Sequence, residues 1–186
     1  MTFSRRAFTL IELMMVVVLI GIVAGFAISR VNITGYRMDS NIRLLQNALI
    51  GAQQTAITKN TYVQVMFDAT QRRVRILQDT DNNGAVGVSE TIIYRALDNA
   101  SFRTPTTTVD GALGIYLTGP GVIETGNPLQ RAIRFAPNGA LSGDVVLYIG
   151  STSDRPNDMR ALTIIGATGR TGFWSHGGGA WVRRNY

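Results

Sequence analysis

Cysteine is absent from this 186-residue chain. That excludes a disulfide framework, a thiolate metal site and a cysteine nucleophile. Histidine occurs once, at His176. A multi-histidine metal centre therefore cannot be built, and no second histidine-dependent triad is available. Lysine also occurs once, at Lys59, so 17 of the 18 basic residues are arginine. Proline is scarce at 5 residues, whereas glycine reaches 20, a balance that suits tight turns between short strands. Charged residues make up only 16% and apolar residues 45%, which rules out a highly charged disordered chain. The 18 basic and 12 acidic side chains leave a net charge of +6.

The apolar residues are concentrated at one end. Residues 13–28 read LMMVVVLIGIVAGFAI, without a charge. With residues 7–12 added, the run approaches the ~20 residues that cross a bilayer core. Arg5 and Arg6 precede it, and the basic flank predicts that this end stays in the cytoplasm. Glu12 sits inside its first turn. A carboxylate there costs about 2.5–3.5 kcal/mol in hydrocarbon, so it needs a partner or a purpose. One purpose is local, because a negative charge is favoured at a helix N-terminus.

Beyond the run, apolar or small residues recur at Ile28, Val31, Gly35, Met38, Ile42, Leu45, Leu49, Ala52 and Ala56. Steps of three and four predict a helix with one buried seam. Read as a single element over 8–59, it has about 52 residues and spans ~78 Å. From Thr61 onward short alternating runs predict strands at 62–67, 73–77, 91–97, 114–118, 132–135, 145–149 and 161–165, with weaker ones at 170–174 and 180–183. Residues 99–127 are polar and glycine-rich and read as a loop region.

Residues 5–13, RRAFTLIEL, resemble the processing signal of type IV pilins and type II secretion pseudopilins. The resemblance implies cleavage by a prepilin peptidase between Ala7 and Phe8, with Ala7 standing where the family usually has glycine. Phe8 then becomes an N-methylated first residue, and Glu12 the fifth. In the family that carboxylate meets the N-terminal ammonium of a neighbouring subunit, so cleavage creates the partner that Glu12 needs. Further on, AIRFAPNGAL, VVLYI and RALTIIGATGR resemble the GspH/FimT family of minor pseudopilins and minor pilins, through Phe135, Gly139, Gly169 and Arg170.

The resemblance implies an α+β, type IV pilin-like fold: a long N-terminal hydrophobic helix packed on a C-terminal antiparallel β-sheet head. It divides the chain into a cleaved leader (1–7), a transmembrane and filament-core part (8–28), an amphipathic extension (29–60) and a β-rich head (61–186). The implied role is a minor pseudopilin at or near the tip of a type II secretion pseudopilus, supporting filament assembly and protein export. The alternative is a minor pilin of a type IV pilus, priming assembly. Its implied partners are the prepilin peptidase, other pilins or pseudopilins in a helical filament, the inner-membrane assembly platform and, before assembly, membrane lipid. Its implied place is the bacterial inner membrane, as a single-pass protein with a periplasmic head.

Three other constellations bear on chemistry. Residues 79–90, DTDNNGAVGVSE, fit the calcium-loop spacing D-x-[DN]-x-[DN]-G-x5-E. Asp79, Asp81, Asn83, the carbonyl of Ala85 and Glu90 would supply oxygens to Ca²⁺ around a turn at Gly84. The same Asp-Asn-Asn-Gly chemistry also makes a plain turn between strands. Arg170, Arg183 and Arg184 lie among Phe173, Trp174, Trp181 and Tyr186, after the last carboxylate side chain at Asp158. Arginines with aromatics suit DNA, and the pilus branch of the family includes DNA-uptake subunits with a Gly-Arg-x-Arg tail. Here Gly172 stands where the second arginine would be, and the other reading is an arginine-protected edge strand. Finally, His176 in SHGGG has no patterned carboxylate or nucleophile beside it. It reads as a solvated loop histidine, and no enzyme activity is expected.

Overall fold

The computed structural model describes residues 8–28, 33–83, 87, 90–109, 116–127, 129–153 and 155–184. The chain divides into two compact units, Met1–Ile33 and Thr34–Tyr186.

In the first unit, α1 is the helix Leu10–Ile28. Every side chain described in it, at residues 10–25, is exposed, Leu10 and Ile11 by 78% and 77%. A helix that is apolar all round has no water-facing side and needs lipid or protein around it. No helix among the described residues is long and apolar enough to cross a membrane.

In the second unit, α2 is the helix Ile33–Lys59. Residues 29–32, where the single long helix was expected to continue, lie outside the described residues. From Gly35 onward the expected seam is buried: Gly35, Met38, Ile42, Leu45, Leu49, Ala52 and Ala56 all face inward, while Val31 and the Ile28 side chain lie outside what is described. Asn41 joins them at 3% exposure. Its amide is satisfied as a peptide in a sheet would be: Nδ2 donates to the carbonyl of Asp98 at 2.8 Å, and Oδ1 accepts from the Asp98 N–H at 2.9 Å. A buried amide costs little when both ends are paired in this way.

The head holds eleven strands among the described residues. The first sheet contains β1 (Tyr62–Asp68), β2 (Arg73–Asp79), β3 (Ile92–Ala96), β6 (Ile123–Glu124) and β7 (Gln130–Phe135). Their order is β3-β2-β1-β7-β6, antiparallel throughout. The second sheet contains β4 (Ala100–Phe102), β5 (Leu117–Thr118), β8 (Val145–Ser151), β9 (Arg160–Ile164), β10 (Thr171–Gly177) and β11 (Ala180–Arg184). Its order is β11-β10-β9-β8-β4, with β5 also pairing β8. The region 99–127 thus supplies β5, at the end of the strand expected over 114–118, and two short strands that were read as loop, β4 and β6. Two or three residues are too few to leave a periodic signal.

Alternation explains the packing. Val63, Val65 and Phe67 of β1 point into the core at 0% exposure, while Gln64 and Met66 turn the other way. One hydrophobic cluster joins the α2 seam to β1 and β7 of the first sheet and to Val145, Leu147, Ile149, Leu162 and Ile164 of the second. β8 is buried along its whole length because its other face carries a second cluster, in which Val146, Tyr148, Met159 and Ala161 pack with Trp174 and Trp181. Tyr116, at 6% exposure, donates its hydroxyl to the carbonyl of Phe67. Burial pushes its pKa up to about 12, against the lowering effect of Arg131, so the ring stays neutral in the core.

Candidate functional site

The N-terminal signal begins with a reciprocal cap. The Thr9 hydroxyl accepts from the Glu12 N–H at 3.3 Å, and the Glu12 carboxylate accepts from the Thr9 N–H at 3.4 Å. Thr9 and Glu12 thus form a capping box, which satisfies two backbone donors that a helix start leaves unpaired. The pattern Thr-x-x-Glu was present in the sequence and identifies Thr9, which the reading of Glu12 alone passed over. Phe8 is 78% exposed beside it. Ala7, on the other side of the expected cleavage point, lies outside the described residues.

The loop after β2 brings acidic groups together. One carboxylate oxygen each from Asp79, Asp81 and Glu90 lies within 4.8 Å of the others. Asp79 is fully buried and accepts from the Asn83 N–H at 3.0 Å. Glu90 accepts from the N–H groups of Thr80 and Gly87, at 3.0 and 2.7 Å. These bonds close the loop from within. Hard, charged oxygen donors converging at this range fit Ca²⁺. Gly84 and Ala85 lie outside the described residues.

Of the three C-terminal arginines, the neighbours Arg183 and Arg184 turn to opposite faces of β11. Arg183 lies across from Trp174, its guanidinium 6.0 Å from the ring centroid. Its neighbour Arg184 points to the opposite face of β11 and donates to the Ser175 hydroxyl at 2.8 Å. Arg170 is exposed in the turn before β10.

His176 is not a solvated loop residue. It lies on β10 at 8% exposure, its Nε2 3.1 Å from the Thr107 hydroxyl and its ring edge-on to Trp181 at 5.1 Å. The SHGGG run reads as a loop because of its glycines, but Gly178 and Gly179 make only the β10–β11 turn, and the strand continues through the histidine. The ring packs between Thr107 and Trp181.

Gly139 and Gly169, expected as strand-turn markers, meet at one side chain. Both have positive φ, 78° and 67°. Gln53 of α2 donates through Nε2 to the carbonyl of Gly139 at 2.8 Å and to that of Thr168 at 3.0 Å. A Cβ at Gly169 would lie 2.1 Å from that nitrogen. The two glycine turns are thus docking points for α2 on the two sheets. Gln53 was invisible in the sequence, since its partners lie 86 and 115 residues away.

Residues 2–28 match the model of the prokaryotic N-terminal methylation motif. No curated protein matches the sequence. Among solved structures, the minor pseudopilin EpsH from the type 2 secretion system of Vibrio cholerae is similar over 69% of this chain and 90% of its own, at 16% identity and a TM-score of 0.44. The family match thus covers the N-terminal segment, where the chain is similar to proteins that carry the prokaryotic N-terminal methylation motif.

Proposed function

We propose that the chain is a minor pseudopilin of a type II secretion filament, a structural subunit rather than an enzyme. It is made as a precursor and cut between Ala7 and Phe8 by a prepilin peptidase. The new Phe8 amine is methylated. The apolar segment holds the subunit in the inner membrane, with the head on the periplasmic side. An assembly platform then transfers it into a helical filament with other pilin-like subunits, at or near the tip. The observation that carries this reading is the N-terminal motif: a basic pair, an apolar helix with every described side chain exposed, and a single carboxylate in its first turn. The helix needs a non-aqueous surrounding, and the carboxylate needs a cation within it. Intact-mass measurement of protein from its own host membranes tests the reading. The expected chain begins at Phe8, with about 14 Da added by a methyl group. A chain still beginning at Met1 in a host with an active prepilin peptidase would end it.

We further propose that Asp79, Asp81 and Glu90 hold Ca²⁺, with Asn83 and the carbonyl of Ala85 as the remaining protein ligands. Its effect would be to draw three carboxylates together and fix the connection between β2 and β3. At a dissociation constant of ~0.1 mM and 10 mM Ca²⁺, the native state gains about 2.7 kcal/mol. The melting temperature should therefore rise by about 5–10 °C over an EDTA-treated sample. Magnesium should not reproduce the shift, and Asp81→Asn with Glu90→Gln should abolish it. Equal melting in calcium and EDTA would reduce the loop to a plain turn.

A further inference from the structure

We infer that the head takes an extended polypeptide segment along the open edge of β3, with aliphatic side chains and a carboxylate seated in the groove between β3 and α2. Among the described residues, β3 ends its sheet and pairs with β2 alone. The Gln78 N–H donates to the carbonyl of Thr91 at 3.1 Å, and the Leu97 N–H to that of Arg72 at 2.9 Å. The register between these two bonds is unbroken. Residues 91, 93, 95 and 97 therefore turn their backbone to β2, and Ile92, Tyr94 and Ala96 turn theirs away. Among the described residues no strand receives those outward groups, and the Tyr94 carbonyl accepts instead from the Arg95 Nη1 at 3.2 Å. The edge is open to solvent: Ile93 and Tyr94 are 40% and 46% exposed, and Arg95 and Ala96 are exposed with them.

The groove beside this edge sets the chemistry of the partner. Its volume is about 570 Å³, and Leu44, Ala48 and Gly51 of α2 face Ile93 of β3 across it. Arg43 and Arg95 also line it and, among the described residues, no Asp or Glu does. A Cβ at Gly51 would meet no atom within 4 Å, so the helix leaves room at that point. Ile93 and Arg95 share one face of β3, so a strand added beside it puts every second side chain into the groove. In an antiparallel pair, residues directly opposite share a face. The segment's groove-facing residues therefore turn their backbone away from β3, and the residues between them bond to Ile92, Tyr94 and Ala96. The groove walls take aliphatic side chains, and the guanidinium groups attract a carboxylate. A nucleic acid has no ladder of peptide groups to match the edge. A second copy would set its own Arg95 against the arginines of the first. This inference stands whether or not the chain enters a filament.

The test uses the full chain in detergent micelles and the fluorescein-labelled peptide Ser-Glu-Thr-Val-Thr-Val-Thr, read by fluorescence anisotropy. Its glutamate and two valines share one face. Binding is expected, and it should be lost when lysine replaces the glutamate. Methyl groups on the threonine nitrogens should abolish it, whereas methyl groups on the valine nitrogens, which point away from β3, should leave it intact. Gly51→Leu fills the groove from an exposed helix position and should weaken binding at least ~10-fold, as should Arg43→Gln with Arg95→Gln. Arg72→Gln with Arg155→Gln, an equal change in charge at exposed residues outside the groove, should leave it unchanged. Equal binding of the two methylated peptides, an equal loss in the control variant, or displacement of the peptide by oligodeoxythymidine would overturn the proposal. So would a dimer that Gly51→Leu dissociates, which would give the groove to a second copy. The peptide comparisons need no variant, so the proposal stays open to refutation even if a substitution unfolds the head.

Discussion

Gly169→Ala should be among the most destabilising single changes in the head, at about 3–4 kcal/mol. A non-glycine residue held at positive φ costs ~1–2 kcal/mol. The new Cβ would also lie 2.1 Å from Gln53 Nε2 and displace it from the carbonyls of Gly139 and Thr168. Two lost hydrogen bonds add about 1 kcal/mol each. A fall in melting temperature of roughly 6–15 °C is therefore expected. Gly126→Ala separates the two causes: Gly126 also has positive φ, at 77°, but no atom lies within 4 Å of a Cβ there. It should show the backbone cost alone. A double-mutant cycle then isolates the contact. With Gln53→Ala already in place, Gly169→Ala should also fall back to the backbone cost, leaving a coupling of about 2 kcal/mol. Strict additivity would mean that Gln53 does not clamp the turn.

The same example shows which information a single sequence carries. Periodicity exposed the α2 seam, because Met38, Ile42, Leu45 and Leu49 repeat at helical spacing and are buried for that reason. Alternation exposed β1, whose Val63, Val65 and Phe67 all point inward. The FTLIEL run lies within the N-terminal methylation motif that residues 2–28 match, and was legible at the level of residue types. What escaped were polar residues whose partners are remote. Asn41 looks like a solvent-facing residue between apolar ones, yet it pairs with the Asp98 peptide 57 positions away. Asp39 looks like an ordinary surface charge, yet its carboxylate meets Arg160 of β9 at 2.6 Å. β4 escaped because three residues form no pattern. His176 escaped because its flanking glycines suggested a loop. Local chemistry is written locally; long-range polar pairing depends on tertiary contacts that no window contains.

Replacing Glu12 should abolish filament entry while leaving membrane insertion intact, and the structure allows its two roles to be separated. As a cap, Glu12 exchanges hydrogen bonds with Thr9 at 3.3–3.4 Å. As a charge, it would meet the Phe8 ammonium of a neighbouring subunit. Glu12→Gln keeps an oxygen that can accept from the Thr9 N–H, and so keeps the helix start, but it loses the ion pair. Thr9→Ala removes the hydroxyl half of the cap, at about 0.5–2 kcal/mol, and keeps the charge. If charge governs assembly, Glu12→Gln should lower the sheared-filament fraction at least ~10-fold, since even 1.4 kcal/mol of lost pairing has that effect. Thr9→Ala should then assemble close to the wild-type level. Glu12→Asp should fall between them, because its carboxylate keeps the charge but is one methylene shorter. Membrane immunoblots should show equal amounts of all four proteins, since removing a carboxylate from an apolar helix cannot hinder insertion. If Thr9→Ala blocked assembly as fully as Glu12→Gln, the cap rather than the charge would be what the filament needs. The coupling of cleavage to assembly through the Phe8 amine would then be lost.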